Sequence, residues 1–197
     1  MSKAAQTRQF IIEKASPLFN IKGYDNTSLS DIQEATGLTK GAIYGNFADK
    51  NELVIAAYEY NCALLRTTID EAIASTDTAK DALLACTGFY AKNWPTVFKK
   101  GGCPMMNAAV EADDHLHFMR DAVRSSMKRF IKKIQQLIEK GQANGEFKKN
   151  VHSAEYAALL FSILEGNILL AKIMNDPKYL KTAATRISRM IEEELST

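Results

Sequence analysis

Apolar residues recur at the three- and four-residue spacing of amphipathic helices along nearly the whole chain. Turn residues interrupt this spacing, most clearly at 75–78 and 99–102. The helical runs predicted between the interruptions are, in chain order, 7–22, 28–36, 40–47, 50–74, 79–97, 105–113, 116–144, 153–174 and a last helix after Pro177. The chain is therefore predicted to be all-α, with about nine helices.

Two short helices around a tight turn are predicted near the N-terminus. Ser28 and Asp31 form a capping pair for the first short helix, because each side chain can reach the other residue's backbone amide. Gly37 ends that helix, since glycine readily takes a positive φ. In the second short helix, Ile43 and Phe47 stand four residues apart and are predicted to pack inward.

The second short helix then presents polar groups and a glycine on its outer face, namely Thr39, Lys40, Gly41, Tyr44 and Asn46. A recognition helix contacts base edges mainly from its N-terminal part, and these residue types can reach bases or phosphates. Asp49 and Glu52 make a second capping pair, which places Lys50 in a first helical turn as a candidate phosphate clamp. A small helical hairpin with an ordinary polar surface has the same spacing and stays open as an alternative.

This segment resembles the DNA-binding domain of the TetR-type (TetR/AcrR) family of transcriptional regulators. The residues that carry the resemblance are Phe19, Gly23, Tyr24, Thr27, Ser28, Ile32, Ala35, Gly37, Gly41, Ile43, Tyr44, Phe47, Lys50 and Leu53. The resemblance covers about 7–55; beyond it, only the all-helical layout and the length agree.

The resemblance implies a role for eight residues in DNA binding. Phosphate contacts are expected from Thr27 or Ser28, Tyr44 and Lys50, and base or groove-floor contacts are expected from Thr39, Lys40, Gly41 and Asn46. Two positions depart from the family pattern. Gly45 stands where many relatives carry an aromatic or polar side chain, and Pro17 predicts a kink or an early break in the first helix.

Composition narrows the class of protein. Residues 1–60 hold six Lys/Arg and seven Asp/Glu, so they lack the basic footprint of a non-specific DNA binder. This charge balance favours a protein that binds a specific DNA sequence through a few well-positioned contacts and through dimerisation. The apolar stretches look too short for a membrane span, and no export signal is seen, so a cytoplasmic protein is expected. Cys62, Cys86 and Cys103 are interpreted as free thiols.

The chain is predicted to divide into a helix-turn-helix DNA-binding domain, 1–50, and a helical ligand-binding and dimerisation domain, 51–197. Because the 153–174 helix is apolar nearly all round, it and the last helix are predicted to form a four-helix bundle with a second copy. The side chains assigned to this interface are Leu160, Leu164, Ile168, Ile187 and Ile191. A purely internal core is the alternative. A dimer would place two recognition helices about 34–36 Å apart, on a pseudo-palindromic operator.

Bulky, adaptable side chains in the middle helices suggest a small-molecule pocket, which is a second candidate site. They are Phe89, Trp94, Phe98, Met105, Met106, Phe118 and Phe161. Ordinary core packing is the competing explanation for each of them. The resemblance adds that the C-terminal domain of this family commonly binds an inducer, which the sequence leaves unidentified.

Catalysis and metal binding are not expected. The acidic and imidazole groups of 111–117 follow no recognised metal-ligand spacing, and Asp113, Asp114 and His115 are interpreted as a helix-to-helix corner. No catalytic motif or cofactor motif stands out. The leading hypothesis is a homodimeric, ligand-responsive transcriptional repressor. The alternative is a ligand-binding or sequestering module with a vestigial helix-turn-helix.

Overall fold

The computed structural model describes residues 2–197, and the described residues form nine α-helices. Their bounds are α1 Lys3–Lys22, α2 Leu29–Thr36, α3 Lys40–Tyr44, α4 Lys50–Ala74, α5 Ala79–Lys99, α6 Pro104–Asp114, α7 Arg120–Asn144, α8 Ser153–Ile173 and α9 Lys178–Met190. A 3₁₀ turn, His117–Met119, precedes α7, and a π-helical turn, Ile191–Leu195, follows α9. The predicted all-α class and the number of helices are confirmed.

Two local predictions in the N-terminal region were wrong, namely an early break at Pro17 and an end of the second short helix at 47, whereas the kink at Pro17 stays a prediction. The first helix does not break at Pro17, because it runs unbroken over Lys3–Lys22 with buried residues on both sides of the proline. Buried Ala15 and Phe19 anchor its two halves to the same core, and this offsets the hydrogen bond that the proline removes. The second short helix ends at Tyr44 rather than at 47, with Gly45 in the position after its last residue.

The described chain packs as two compact units. The first contains the described part of Met1–Leu65 together with Lys99–Ser125. Its core holds an aromatic cluster in which Tyr24 stacks on Phe19, with ring centroids 5.9 Å apart, and meets Tyr58 edge-on at 5.9 Å. The domain boundary predicted near residue 50 separates two functions, whereas these units are defined by packing. The packing therefore does not test the boundary, which stays a prediction.

The loop before α6 is tied to α1 within this first unit. The Asn20 side-chain amide donates to the carbonyl of Lys100 at 2.7 Å, and Asn107 donates to the carbonyl of Gly101 at 2.8 Å. Gly101 has a φ of +96°, and a Cβ on it would lie 2.4 Å from the main-chain oxygen of Asn20. The loop can therefore sit against α1 only with glycine at this position.

The second unit contains Arg66–Phe98 and Ser126–Thr197. The Glu146 carboxylate caps the start of α5 by accepting from the amides of Ala79 at 3.1 Å and Lys80 at 3.0 Å. These two bonds hold the pKa of Glu146 below its usual range. In the described part of the chain, all three cysteines are free thiols: Cys86 and Cys103 are buried, and Cys62 is half-buried.

Helix α8 is the most apolar element of the second unit. On length and composition alone it could cross a membrane, which departs from the expectation that every apolar stretch is too short. Core helices of globular proteins pass the same test, so this property is weak evidence for a membrane span. Its buried residues, among them Leu160, Leu164 and Ile168, face the interior of this chain.

Candidate DNA-binding site

The start of α2 is fixed by a reciprocal cap, as predicted. The Ser28 hydroxyl accepts from the Asp31 amide at 3.2 Å, and the Asp31 carboxylate accepts from the Ser28 amide at 2.8 Å. Lys22 lies 2.6 Å from the same carboxylate. The Lys22 ammonium, followed by the two Ser28 donors, lowers the pKa of Asp31 to about 2. Gly37 ends the helix with a φ of +70°, also as predicted.

The N-terminal end of α3 is exposed. Thr39 caps the helix by accepting from the Ala42 amide at 3.3 Å, while Lys40 and Gly41 lie open to solvent. Ile43 and Phe47 are buried at 0% and 2% exposure, so the inward face is as predicted. The outer end is therefore held in place and unobstructed, which a recognition helix requires.

Gly41 is not required by the fold of this chain. Within residues 2–197, a Cβ built on Gly41 would meet no heavy atom within 4 Å apart from its chain neighbours and the backbone of its own helix. Its small size therefore leaves an open surface at the end of α3, where another molecule could approach the backbone closely.

Tyr44, the last residue of α3, and Asn46, which follows the helix, both contact other residues of this chain. Tyr44 is half-buried, and the Lys40 ammonium lies 6.0 Å from its ring centroid. Asn46 lies beyond the end of α3, and its side-chain amide nitrogen donates to the Ala42 carbonyl at 2.9 Å. This bond orients the Asn46 side chain and leaves its side-chain oxygen as the free acceptor.

Of the Thr27–Ser28 pair, the structure leaves only Ser28 accessible. Thr27 is fully buried, and its hydroxyl donates to the carbonyl of Gly23 at 2.7 Å. The implied phosphate contact from Thr27 is therefore wrong, because that hydroxyl closes the turn before α2. Ser28 is exposed beside it.

Lys50 begins α4, where Asp49 accepts from the Glu52 amide at 2.8 Å and Glu52 accepts from the Ala48 amide at 2.7 Å. The second capping pair therefore forms only in part as predicted: Asp49 caps the helix, whereas the Glu52 carboxylate accepts from Ala48 rather than from Asp49. The Lys50 ammonium donates to the main-chain carbonyl of Asp25 at 3.1 Å. This contact places its charge beside the turn that leads into α2.

Arg8 supports the turn between α3 and α4, a role that sequence reasoning missed. Its guanidinium donates to the Asn46 carbonyl at 2.5 Å and pairs with Glu52 at 2.8 Å. The Ala48 amide, and then Arg8, lower the pKa of Glu52. Nothing in the local sequence marks Arg8, because its partners lie about forty residues away.

Glu111 is the second residue missed. It belongs to the acidic segment that was considered as a metal site, but its carboxylate accepts from the amides of Tyr24 at 3.0 Å and Asp25 at 2.8 Å. His115 follows the last residue of α6, so the predicted helix-to-helix corner forms there. Within residues 2–197 no group of three or more acidic, histidine or cysteine side chains could hold a metal ion.

The seven residues of the predicted pocket lie on several elements of both units. Trp94 and Phe98 meet on α5 with ring centroids 5.4 Å apart, and Phe161 on α8 meets Phe130 at 5.6 Å. Phe89 and Met105 are buried, and Phe118 and Met106 are half-buried. These contacts do not test whether the seven residues share a cavity, and the pocket stays a prediction.

The five residues assigned to the dimer interface do not reach the surface. Leu160, Leu164, Ile168, Ile187 and Ile191 are each at most 4% exposed within the single chain. The assignment was wrong because an all-apolar helix does not reveal which of its faces packs against its own chain. The large apolar side chains that α8 and the residue after it do expose are Leu159, Leu169, Leu170, Ile173 and Met174.

Comparisons with known proteins agree with this geometry. The family described as "Bacterial regulatory proteins, tetR family" matches residues 11–57, and the one described as "Tetracyclin repressor-like, C-terminal domain" matches residues 79–187.

Individual relatives show the same similarity. The chain is 44% identical to the transcriptional regulator AcrR of Shigella flexneri over 57 residues, which are 29% of this chain and 26% of that protein. It is 24% identical to the transcriptional repressor DhaR of Mycobacterium sp. (strain GP1), over 84% of this chain and 82% of DhaR. A TetR-family regulator from Cytophaga hutchinsonii superimposes with a TM-score of 0.95 at 33% identity, over 100% of this chain and 98% of that one.

Proposed function

Because the chain belongs to the TetR family of bacterial regulatory proteins, we propose that α2 and α3 bind one half of an operator while a second copy binds the other half. The chain is a DNA-binding transcriptional regulator of this family, and ligand-responsive repression is the activity that its relatives support. The alternative, a sequestering module with a vestigial helix-turn-helix, is not favoured. A vestigial motif has no need for intact caps at α2, α3 and α4.

The exposed N-terminal end of α3 is the observation that carries this proposal. Thr39, Lys40 and Gly41 lie together at that end, and within residues 2–197 no group outside the backbone of α3 and the chain neighbours of Gly41 lies within 4 Å of a Cβ built on Gly41. We assign base-edge or groove-floor contacts to these residues and to the side-chain oxygen of Asn46. Phosphate contacts are assigned to Ser28, Tyr44 and Lys50.

The second copy is proposed to dock on the exposed face of α8. Ala158, Ser162 and Gly166 follow one another at four-residue spacing on the exposed side of this helix. Small side chains let two helices approach closely, and Leu159 and Leu169 lie beside them. Two copies related by a two-fold axis would present their recognition helices about 34–36 Å apart.

The effector is proposed to be a small molecule that binds in the helical C-terminal region, where the predicted pocket residues lie. Such a ligand releases the operator only if it binds the DNA-incompetent state more tightly than the DNA-competent state. A coupling free energy of about 1–3 kcal/mol is typical of such systems. The operator lies in the cytoplasm, and we place the protein there.

Selection from a randomised duplex pool, at near-physiological salt, tests the proposed function. We expect an inverted repeat to be enriched by the purified protein and to be lost with Lys40→Ala or Tyr44→Ala. A folded dimer that enriches no sequence would overturn the proposal. Sequence preference without an inverted repeat would refute the two-fold arrangement.

A further inference from the structure

The turn between α1 and α2 is held by a carboxylate from a distant part of the chain. Glu111, on α6, accepts from the amides of Tyr24 and Asp25, which lie 87 and 86 residues away in sequence. All three residues belong to the first compact unit. A carboxylate that accepts from two successive amides fixes the orientation of the peptide between them, because both bonds share one rigid acceptor group.

The turn leaves room for this carboxylate. Gly23 has a φ of +100°, and a Cβ on it would lie 3.3 Å from the nearer Glu111 oxygen. A side chain at this position would therefore strain the backbone and crowd the carboxylate. Thr27 closes the other end of the turn through its bond to the Gly23 carbonyl.

The same turn holds the ammonium of Lys50. The Asp25 amide donates to Glu111, while the Asp25 carbonyl accepts from Lys50 at 3.1 Å. A lysine ammonium has three donors, so this bond fixes the position of the charge and leaves two donors for a phosphate. The Lys50 ammonium is thus positioned by the turn between α1 and α2, and Glu111 holds the same turn through the amides of Tyr24 and Asp25.

We propose that Glu111 is a positioning residue for DNA binding, which holds Lys50 at its phosphate contact through the backbone of Tyr24 and Asp25. The inference rests on the proposed function of the chain as an operator-binding protein. It extends the DNA-binding apparatus to α6, which lies outside the residues that match the family's DNA-binding region. Glu111 does not touch DNA itself; it acts through Lys50.

A double-mutant cycle tests this inference. Operator affinity is measured by fluorescence anisotropy, on a duplex taken from the pool selection, for wild type, Glu111→Gln, Lys50→Met and the double variant. The salt concentration is varied over about 50–200 mM, because each lost phosphate contact lowers the slope of log K against log salt by about 0.9. We expect Glu111→Gln to weaken binding by roughly three- to tenfold and to lower this slope, but to have little effect when it is combined with Lys50→Met.

Charge makes the expected result diagnostic. Glu111→Gln removes a negative charge, which by itself favours binding to DNA, so weaker binding must come from geometry. Asp114→Asn removes the same charge from an exposed position on the same helix and is expected to bind at least as tightly as wild type. Glu111→Asp keeps the charge but shortens the side chain, so that the carboxylate no longer reaches both amides. It should therefore weaken operator binding as Glu111→Gln does.

Three results would overturn the inference. The first is that Glu111→Gln weakens operator binding equally in the wild-type and Lys50→Met backgrounds. The second is that Glu111→Gln leaves the salt dependence of binding unchanged. The third is that Glu111→Gln binds the operator as tightly as Asp114→Asn. Circular dichroism confirms that each variant is folded, and Glu111→Asp carries the test if Glu111→Gln is not. If wild type itself selects no operator, the proposed function fails, and that result is distinct from failure of the cycle.

Discussion

The guanidinium carbon of Arg8 lies 4.1 Å from the centroid of the Phe47 ring. Phe47 is buried, and the same guanidinium also contacts the Asn46 carbonyl and the Glu52 carboxylate. One side chain of α1 therefore contacts two residues of the turn between α3 and α4 and one residue in the first turn of α4. The position of the segment that follows α3 depends on α1 through these contacts as well as through the apolar core.

Arg8→Met is expected to lower the free energy of unfolding by about 1–2 kcal/mol, because the cation–π contact and the ion pair are lost together. Urea denaturation measures this change. Arg124→Met is the matched control, since Arg124 is exposed and its ion pair is with Asp121 within its own helix. Equal stability of the two variants would contradict the supporting role of Arg8.

Gly41→Ala is expected to have opposite effects on stability and on DNA binding. The new methyl group clashes with no described side chain or distant backbone, so the variant should be more stable by up to about 1 kcal/mol because alanine favours helix. Operator affinity should fall, because the methyl group occupies the surface assigned to DNA. Gly88→Ala, at a half-buried helical position in α5 where an added Cβ likewise meets no described side chain or distant backbone within 4 Å, should gain stability without losing affinity. Unchanged affinity in Gly41→Ala would refute close approach of DNA at this residue.

If the proposed dimer forms through α8, Leu169→Lys is expected to convert it to a monomer, because it places a charge on the apolar face of α8 where Leu169 is 48% exposed. Size-exclusion chromatography with light scattering measures the mass. Val110→Lys changes an even more exposed apolar residue on α6, at 66%, and should leave the mass unchanged. A dimer that survives the α8 change would exclude this face as the interface.

The Asp31 carboxylate is expected to contribute stability that depends on pH. Its pKa is lowered from 3.8 to about 2 when the protein is folded, so the contribution is complete above the ordinary pKa. It is lost as the pH falls from about 4 towards 2. Asp31→Asn should therefore be less stable than wild type at neutral pH, and the difference should shrink across this acid range. Urea midpoints at several pH values measure it, with Asp77→Asn as an exposed control. A difference that is constant with pH would show that charge is not its cause.

The three thiols are expected to differ in reactivity towards iodoacetamide. Burial raises the pKa of the Cys86 thiol to about 12, so its reactive thiolate form is scarce at pH 8. Cys103 is fully buried, whereas Cys62 is half-buried. Mass spectrometry of the native protein should show labelling at Cys62 first, with Cys86 and Cys103 labelled only after denaturation. Native labelling of Cys86 as fast as that of Cys62 would contradict this order.

Features that depend on a few neighbouring residues were predictable from the sequence. The caps at Ser28, Thr39 and Asp49 join residues three apart, so residue type and spacing are sufficient. The Thr27–Ser28 pair was only partly predictable, because both are small hydroxyl residues. Which of them faces the core is decided by the turn at Gly23 rather than by either side chain.

Features that join distant segments could not be predicted. The contacts of Arg8 with Asn46 and of Glu111 with Tyr24 require knowledge of how α1 and α6 pack, and a lone charged residue on a polar face carries no such signal. The sequence also could not show which face of α8 packs against its own chain. A helix with apolar residues on all sides has no polar face to show which side its own chain covers.

Gly101 has a consequence for tracing the history of this chain. No other amino acid fits against the Asn20 carbonyl without moving α1, so substitution here should be eliminated in any lineage that keeps the loop seated on α1. A glycine at the equivalent site of another sequence would then mark the same attachment of the loop before α6. A lineage that has lost this glycine would be expected to have changed the packing of this loop against α1.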